Sequence, residues 1–548
     1  MDTARLLRAP GIMCAVASLF LSGCSTGSMQ NNSQRNVSGT STDFVRRALA
    51  GTEGATSSAL PPLPAAIPAN LKPYYQQKLD WRYCGTSTTA GSSSPGFSSD
   101  FQCTTMRVPL DYNHPSASTD LRLTVARKQA TGPGARIGSL LVNPGGPGGS
   151  AIDYLVDAAS SYPAPVRARY DMIGVDPRGV GRSEPIECLT NAQMDKFTEV
   201  DTTPSNQAQI NAITKADKQF ADGCEQRSGK RLGHVSTIES ARDMDILRAL
   251  LGDAKLNYVG KSYGTFLGAT YAGLFPSRVG RLVLDGALDP TLNSLDASRT
   301  QATGFETAFE SFAKDCVQQH PDCPMGHGLD AANAYITDFL KRLDAHPLPT
   351  GQSRPLVEAL GTTGLIQAMY SKDQWAILRT ALAQANHGDG SGLLALSDTY
   401  YERNSNGQYS NLMYANAAVN CLDLPPAAKS PSDVKAALPA FLKASPHFGV
   451  DFAWMSLTCA SWPVTATGHP ERIEAKGAAP IVVIGTTRDP ATPYGWAKSL
   501  ASQLQSARLL TYVGDGHTIY AMGNDCVDTA VNAYLLQDKI PLKGERCQ

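Results

Sequence analysis

The sequence predicts an α/β protein: a mostly parallel sheet with helices on both faces and a helical lid inserted before the last strands. Three observations predict it. Between Trp81 and about Asp289, short β-rich apolar runs alternate with longer helical stretches, the pattern of parallel strands joined by crossover helices. From about Thr300 to Trp462 that alternation gives way to largely helical sequence. It returns in two further strand-like runs, Ala479 to Gly485 and Ala507 to Val513.

The strand candidates of the first region are Leu121 to Arg127, Ser139 to Asn143, Met172 to Asp176, Leu256 to Gly260 and Leu282 to Asp285. Its helix candidates include Thr237 to Leu251, with apolar residues at helical spacing, and Tyr263 to Leu274. In the helical region, loops are expected at Pro347 to Pro355 and Asn386 to Gly392. A helical stretch between strands of one sheet reads as a lid over the sheet's carboxyl edge, with an independent second domain as the alternative. The expected layout is residues 1–23 leader, 24–75 flexible tether, 76–299 first part of the core, 300–465 lid and 466–548 last part of the core. The tether assignment rests on a Ser, Thr, Asn, Gly and Pro-rich composition that cannot bury a core.

At 548 residues the chain is too long for one simple core, which fits a large domain carrying an insertion. With 48 Lys+Arg against 49 Asp+Glu, nothing in its charge points to a nucleic acid partner.

Arg5 and Arg8 precede an apolar stretch from Gly11 to Ser22 that is too short to span a bilayer and fits the core of an export signal. It ends in Leu21-Ser22-Gly23-Cys24, which resembles the lipobox of bacterial lipoproteins, so Cys24 is the expected lipidation site. The alternative is a plain secretory signal. Either way the protein is exported, with a lipid-anchored place in the bacterial cell envelope as the first expectation. Setting aside Cys14 and Cys24 leaves ten cysteines that fall into sequence neighbours, and in an oxidising compartment five local disulfides are expected, although connectivity does not follow from sequence. Cys316 and Cys323 with His320 and His327 form the cluster closest to a zinc pattern, but bridges are the better reading of exported cysteines. Neither a metal nor a cofactor is expected.

The run Gly260-Lys261-Ser262-Tyr263-Gly264 matches G-x-S-x-G. So does Gly23-Cys24-Ser25-Thr26-Gly27, and context separates them: only Ser262 stands between an apolar strand and a helix. A serine hydroxyl is a weak nucleophile until a base takes its proton, so it must be held out on a sharp turn where flanking glycines leave room. Ser262 is therefore the candidate nucleophile.

The partners of such a serine follow in the order acid, then histidine. Asp489 lies in a proline-bounded loop after the strand from Ile481, and His517 lies 28 residues later in Gly514-Asp515-Gly516-His517 after the last expected strand. Of the nine histidines, His114, His346, His447 and His469 sit beside prolines in loop-like sequence. Asp515 and Asp285 are the rival acids; Asp285, ending a strand directly after the elbow helix, reads as structural. A tetrahedral oxyanion needs backbone N–H groups converging from a loop without bulk, and Asn143-Pro144-Gly145-Gly146-Pro147-Gly148-Gly149-Ser150 supplies one. Its Pro147 breaks the dinucleotide-loop register, and the expected donors are the N–H groups of Gly146 and Tyr263.

The Gly-Gly-Pro-Gly loop, Gly174-Val175-Asp176-Pro177-Arg178-Gly179-Val180-Gly181-Arg182-Ser183, the Gly-Lys-Ser-Tyr-Gly elbow, Leu284-Asp285-Gly286, Asp489 and His517 form an ordered set. Over roughly Trp81 to Cys547 that set resembles the prolyl and tripeptidyl aminopeptidases of the α/β-hydrolase class, the exported, cysteine-paired body looking more like the tripeptidyl branch. One departure is visible: Pro144 stands where the relatives' loop has a histidine. The resemblance implies a serine peptidase that releases short peptides, tripeptide-like or proline-containing, from free N-termini through an acyl-enzyme. An esterase or amidase with the same three residues is the alternative, and a non-catalytic binding protein is the reading from another class. Recognition of a substrate's ammonium group calls for carboxylates in or near the lid.

Overall fold

The computed structural model describes residues 58–85 and 97–548, and Ala59–Gln548 form one compact unit. Its strands are β1 (Arg82–Tyr83), β2 (Phe101–Val108), β3 (Leu121–Lys128), β4 (Gly138–Asn143), β5 (Tyr170–Val175), β6 (Leu256–Lys261), β7 (Val279–Asp285), β8 (Ile481–Arg488), β9 (Ala507–Asp515) and β10 (Arg546–Cys547). They form one sheet in the order β1-β2-β3-β5-β4-β6-β7-β8-β9-β10. Strands β1 to β3 pair antiparallel, β3 joins β5 antiparallel, and every pairing from β5 through β4 to β10 is parallel.

The central strands read as continuous apolar runs because a parallel sheet is covered on both faces. All of β4 and the first six residues of β8 are buried. On one face the sheet packs on helices Thr237–Leu250 and Tyr263–Leu274, through Met244, Leu247 and Leu267. On the other it packs on helices Ala151–Ser161 and Asp525–Gln537, through Ile152, Leu155, Val531 and Tyr534. Each such side chain contributes about 1.5–3 kcal/mol on leaving water.

Every strand expected from the sequence is present, with ends displaced by at most three residues. Three further strands appear. Residues of β2 alternate between core and solvent, so Met106 and Val108 are buried while Thr105 and Arg107 face outward, and its polar half hides the strand from a search for apolar runs. The two-residue strands β1 and β10 carry too little sequence to register a period.

The helical region builds its own core from Phe305, Phe309, Phe312, Leu360, Trp375, Leu378 and Phe448. Two boundaries differ from expectation. The first long lid helix, Ser294–Gln319, starts before residue 300, and Ile210 and Ile213 of helix Gln207–Ser228 join the lid core from the segment assigned to the sheet domain. The helical region lies within the same compact unit as the sheet.

The leader, Cys24 and residues 24–57 of the expected tether lie outside the described residues. From Ala59 onward the segment assigned to the tether is packed instead. Leu60 N–H donates to Arg472 O at 2.9 Å and Leu63 N–H to Leu274 O at 2.9 Å, while Leu60, Leu71 and Tyr74 are buried. Prolines 61, 62 and 64 have no N–H to satisfy, so this extended strap can press spaced leucines onto the body at little hydrogen-bonding cost.

Five disulfides join neighbours in sequence: Cys84–Cys103, Cys188–Cys224, Cys316–Cys323, Cys421–Cys459 and Cys526–Cys547. The pairing of Cys316 with Cys323 removes the thiolates that a zinc site beside His320 would need.

Candidate active site

Successive parallel strands end at one edge of the sheet, and the loops leaving β4, β6, β7, β8 and β9 bring the sequence-derived residues there. Such an edge is where open α/β sheets bind ligands.

After β6 the chain turns abruptly into helix Tyr263–Leu274, and Ser262 at the turn has φ 55° and ψ −127°. A non-glycine residue held there costs about 1–3 kcal/mol. The turn survives because its neighbours are small: a Cβ on Gly260 would lie 2.3 Å from Gly264 O, and one on Gly264 would lie 2.8 Å from Asn143 Oδ1. Ser262 N–H donates to Asp285 O at 2.9 Å, which fixes the turn against the end of β7. The adjoining Lys261 is buried, its Nζ donating to Tyr520 O at 2.8 Å.

Asp489 follows β8 and is buried. Its Oδ1 accepts the N–H groups of Ala491 at 3.0 Å and Thr492 at 2.8 Å, and its Oδ2 accepts Thr492 Oγ1 at 3.0 Å. This local turn, in which an Asp side chain caps the backbone two and three residues on, fixes the carboxylate before any partner arrives. His517 follows β9, with Nδ1 at 2.8 Å from Asp489 Oδ1 and 3.0 Å from Oδ2, and at 3.3 Å from Thr492 Oγ1. The opposite ring nitrogen, Nε2, is buried and has no hydrogen-bond partner among the described residues, Ser262 Oγ included. Ser262 and His517 nevertheless flank one turn. Ser262 N–H is bound to Asp285 O, and a Cβ on the next residue, Gly286, would lie 3.2 Å from His517 Cε1.

The glycine loop after β4 crosses directly over the elbow. Gly145 has φ +99°, and a Cβ there would lie 2.8 Å from Ser262 Cβ and 2.9 Å from Tyr263 N. Gly145 N–H is bound by Asn143 Oδ1 at 2.9 Å, and Gly149 N–H by Gly145 O at 3.1 Å. Gly146 has φ +110°, and a Cβ there would lie 2.8 Å from the N of both Gly148 and Gly149, so the turn calls for glycine.

The rival acids are engaged elsewhere. Asp515 is held by Arg488 at 2.5 and 2.7 Å, and that cation keeps its carboxyl below the usual range. Asp285 is fully buried; desolvation raises its pKa while Lys261 opposes the rise, and its Oδ2 accepts the N–H groups of Ile519 and Tyr520, both at 2.8 Å.

Two contacts were not anticipated from sequence. Thr492 completes the Asp489 turn, and the pattern of an Asp followed three residues later by Thr was its available signal. Tyr370, at the end of lid helix Glu358–Met369, accepts the His517 N–H through its carbonyl at 2.9 Å and sets its ring 5.5 Å from the imidazole in an edge contact. No local pattern marks that residue, since its role arises from the lid meeting the sheet.

The sequence pattern of the family described as TAP-like protein matches residues 445–547, the segment holding Asp489 and His517. The chain is 37% identical over 491 residues to the serine protease Hip1 of Mycobacterium tuberculosis (strain ATCC 25618 / H37Rv), covering 87% of this chain and 92% of that protein. It is 39% identical over 456 residues to carboxylesterase B of the same strain, covering 81% and 86%. It is 32% identical over 487 residues to the tripeptidyl aminopeptidase of Streptomyces lividans, covering 86% of each. With the sheet order, the elbow and these relatives together, the chain belongs to the TAP-like serine hydrolases of the α/β-hydrolase class.

Proposed function

We propose that this protein is a serine peptidase that releases short peptides from free N-termini, with Ser262 as nucleophile, His517 as general base and Asp489 as the residue that orients the histidine. The observation that carries the reading is the state of His517. Its Nδ1 is fixed by a buried carboxylate, which sets the tautomer and leaves Nε2 as a buried base with no competing partner among the described residues. Catalytic hydrogen bonds tighten only when substrate is present, so the open Nε2 suits a site without substrate.

In the first half of the reaction Nε2 takes the Ser262 proton as Oγ attacks the scissile carbonyl. The N–H groups of Gly146 and Tyr263 receive the oxyanion, each worth roughly 10²–10³ in rate. The imidazolium then protonates the leaving amine, and water repeats the sequence on the acyl-enzyme. The family membership supports the peptidase reading; the relative named carboxylesterase B supports the alternative, an esterase or amidase using the same residues.

The reading includes export and attachment to the cell envelope through a lipid on Cys24. Five disulfides support export, since such bonds persist in oxidising compartments. A Cys24→Ala variant is expected to leave the membrane fraction, and unaltered partitioning would exclude the anchor.

The test of activity is turnover of purified protein on N-terminally free tripeptide amides, their N-blocked counterparts and short acyl esters. Preference for free tripeptides supports the proposal, whereas cleavage of esters alone would establish the esterase in its place.

A further inference from the structure

Helix Leu412–Asp423 belongs to the helical insertion by its place in the sequence, yet it packs with the sheet. Tyr414, Ala418, Val419 and Leu422 are buried in the same core as Met244 and Leu267, rather than in the one built around Phe309 and Leu378. Its first turn covers the glycine loop: a Cβ on Gly148 would collide with Leu412 O, and Asn416 Nδ2 donates to Pro147 O at 3.1 Å. Its last residue, Asp423, is buried against the start of helix Thr237–Leu250. There Asp423 Oδ1 accepts the Thr237 N–H at 2.8 Å, and Oδ2 lies 2.5 Å from Thr237 Oγ1. The same Oγ1 lies 2.5 Å from the hydroxyl of Tyr263. An ionised carboxylate only accepts, so Thr237 donates to Asp423 and Tyr263 O–H donates to Thr237. One line of hydrogen bonds thus runs from this helix to the residue that follows the nucleophile.

Helix capping accounts for part of this arrangement only. An anion beside the first N–H of a helix is stabilising, but Ser236 already closes that helix end through a capping box with Glu239. The contact between the Thr237 and Tyr263 hydroxyls satisfies no backbone group of either helix. What it fixes is the side chain of a residue whose own N–H, at the first position of its helix, has no carbonyl one turn back to accept it. The direction of that N–H depends on a turn in which Ser262 is held at φ 55°, a conformation that persists only where the surroundings over-determine it. With its hydroxyl anchored, Tyr263 cannot rotate away without breaking a buried hydrogen bond.

We propose that Thr237 and Asp423 are positioning residues for the oxyanion hole, holding the Tyr263 N–H at the angle at which it meets the developing anion, while the same helix fixes the opposing glycine loop through Asn416. The inference rests on Ser262 as nucleophile with Gly146 and Tyr263 as oxyanion donors, and it holds for peptide and ester substrates alike. A helix that grips the supports of both donors sets the gap between them. Such a gap tolerates little drift, since a displacement near 1 Å costs about 100-fold in rate.

The test follows p-nitrophenyl butyrate or an N-terminally free tripeptide p-nitroanilide, whichever the wild type turns over faster, at pH 8, above the value of about 7 to which burial pushes the Asp423 carboxyl. Alongside kcat and KM it measures inhibition by a trifluoromethyl ketone analogue of that substrate, whose serine adduct carries an oxyanion, and near-UV circular dichroism counts the folded protein. Thr237→Val, Asp423→Ala and Tyr263→Phe are each expected to lower kcat by roughly 10- to 100-fold with KM held within about twofold, and to weaken the ketone by the same factor as kcat. Because these residues act along one line, Thr237→Val combined with Tyr263→Phe should lose no more than the worse single variant. Thr237→Ser, which keeps the hydroxyl, should retain most of the rate. Unchanged kcat in Thr237→Val, losses that multiply in the double variant, or a fall in kcat without weaker ketone binding overturns the assignment. A wild type that turns over neither substrate and takes no fluorophosphonate overturns the reading of Ser262 as nucleophile, and the inference falls with it.

Discussion

Asp285 Oδ2 accepts the N–H of Tyr520 at 2.8 Å, and the carbonyl of the same Tyr520 accepts Lys261 Nζ at 2.8 Å. The residue before the elbow serine and the residue ending β7 thus grip the loop that carries His517 from both sides. A carboxylate read from sequence as structural is the tie between the nucleophile's strand and the base's loop.

Loss of that tie is expected to cost both stability and rate. Asp285→Ala removes the oxygen to which both loop amides donate, so unfolding free energy should fall by at least about 1.5–3 kcal/mol, the range for a hydrogen bond to a charged group. A displaced His517 should lower kcat about 10- to 100-fold. Steady-state kinetics beside thermal melting checks both, and a variant with unaltered kcat would assign Asp285 to stability alone.

Asp489→Asn should leave the fold intact and lower kcat by roughly 10⁴, the loss seen for that exchange in a Ser-His-Asp protease, where the wrong tautomer is trapped. Kinetics on an ester substrate measures it, and a loss under tenfold would remove Asp489 from the mechanism.

Stability of the lid should decline from pH 5.5 to 8. Burial pushes the Glu358 carboxyl up to about 8 and that of Asp451 up to about 6, so across this interval the folded state holds protons that the unfolded chain has released. His447 adds to the trend: Glu306 lies 2.5 Å from its Nδ1 and raises its pKa against the effect of burial, and the resulting stabilisation is lost as pH rises through the folded value. Glu306 is lowered, so its own contribution is complete above the usual carboxylate range and unaffected here. Calorimetric scans at several pH values should show Tm falling with pH, and Glu358→Gln should flatten the slope. A Tm rising toward pH 8 would contradict the assignment.

Opening Cys421–Cys459, whose partners stand 38 residues apart, should lower stability by about 4 kcal/mol on the chain-entropy estimate. A Cys421→Ser and Cys459→Ser double variant compared by denaturant unfolding tests this, and a loss below 1 kcal/mol would show the lid to be held by packing alone.

The parts legible in sequence were those that local chemistry specifies. Continuous apolar runs marked β4 and β8, because strands covered on both faces need no alternation. The elbow at Ser262 announced itself through glycines that a Cβ would disrupt. What stayed hidden depended on distant neighbours. Prolines 61, 62 and 64 suggested a loose tether, yet Leu60 and Leu71 found a surface to cover. His447, beside a proline in loop-like sequence, is buried against Glu306 across a separation of 141 residues. Tyr370 acquires its place beside His517 only where the helical region meets the sheet.

Fluorophosphonate labelling followed by peptide mapping tests the central claim most directly. A single adduct on Ser262, lost in Ser262→Ala along with a roughly 10⁶-fold fall in kcat, is the expected result. An adduct on another residue, or a Ser262→Ala protein that still turns over substrate at near wild-type rate, would contradict it.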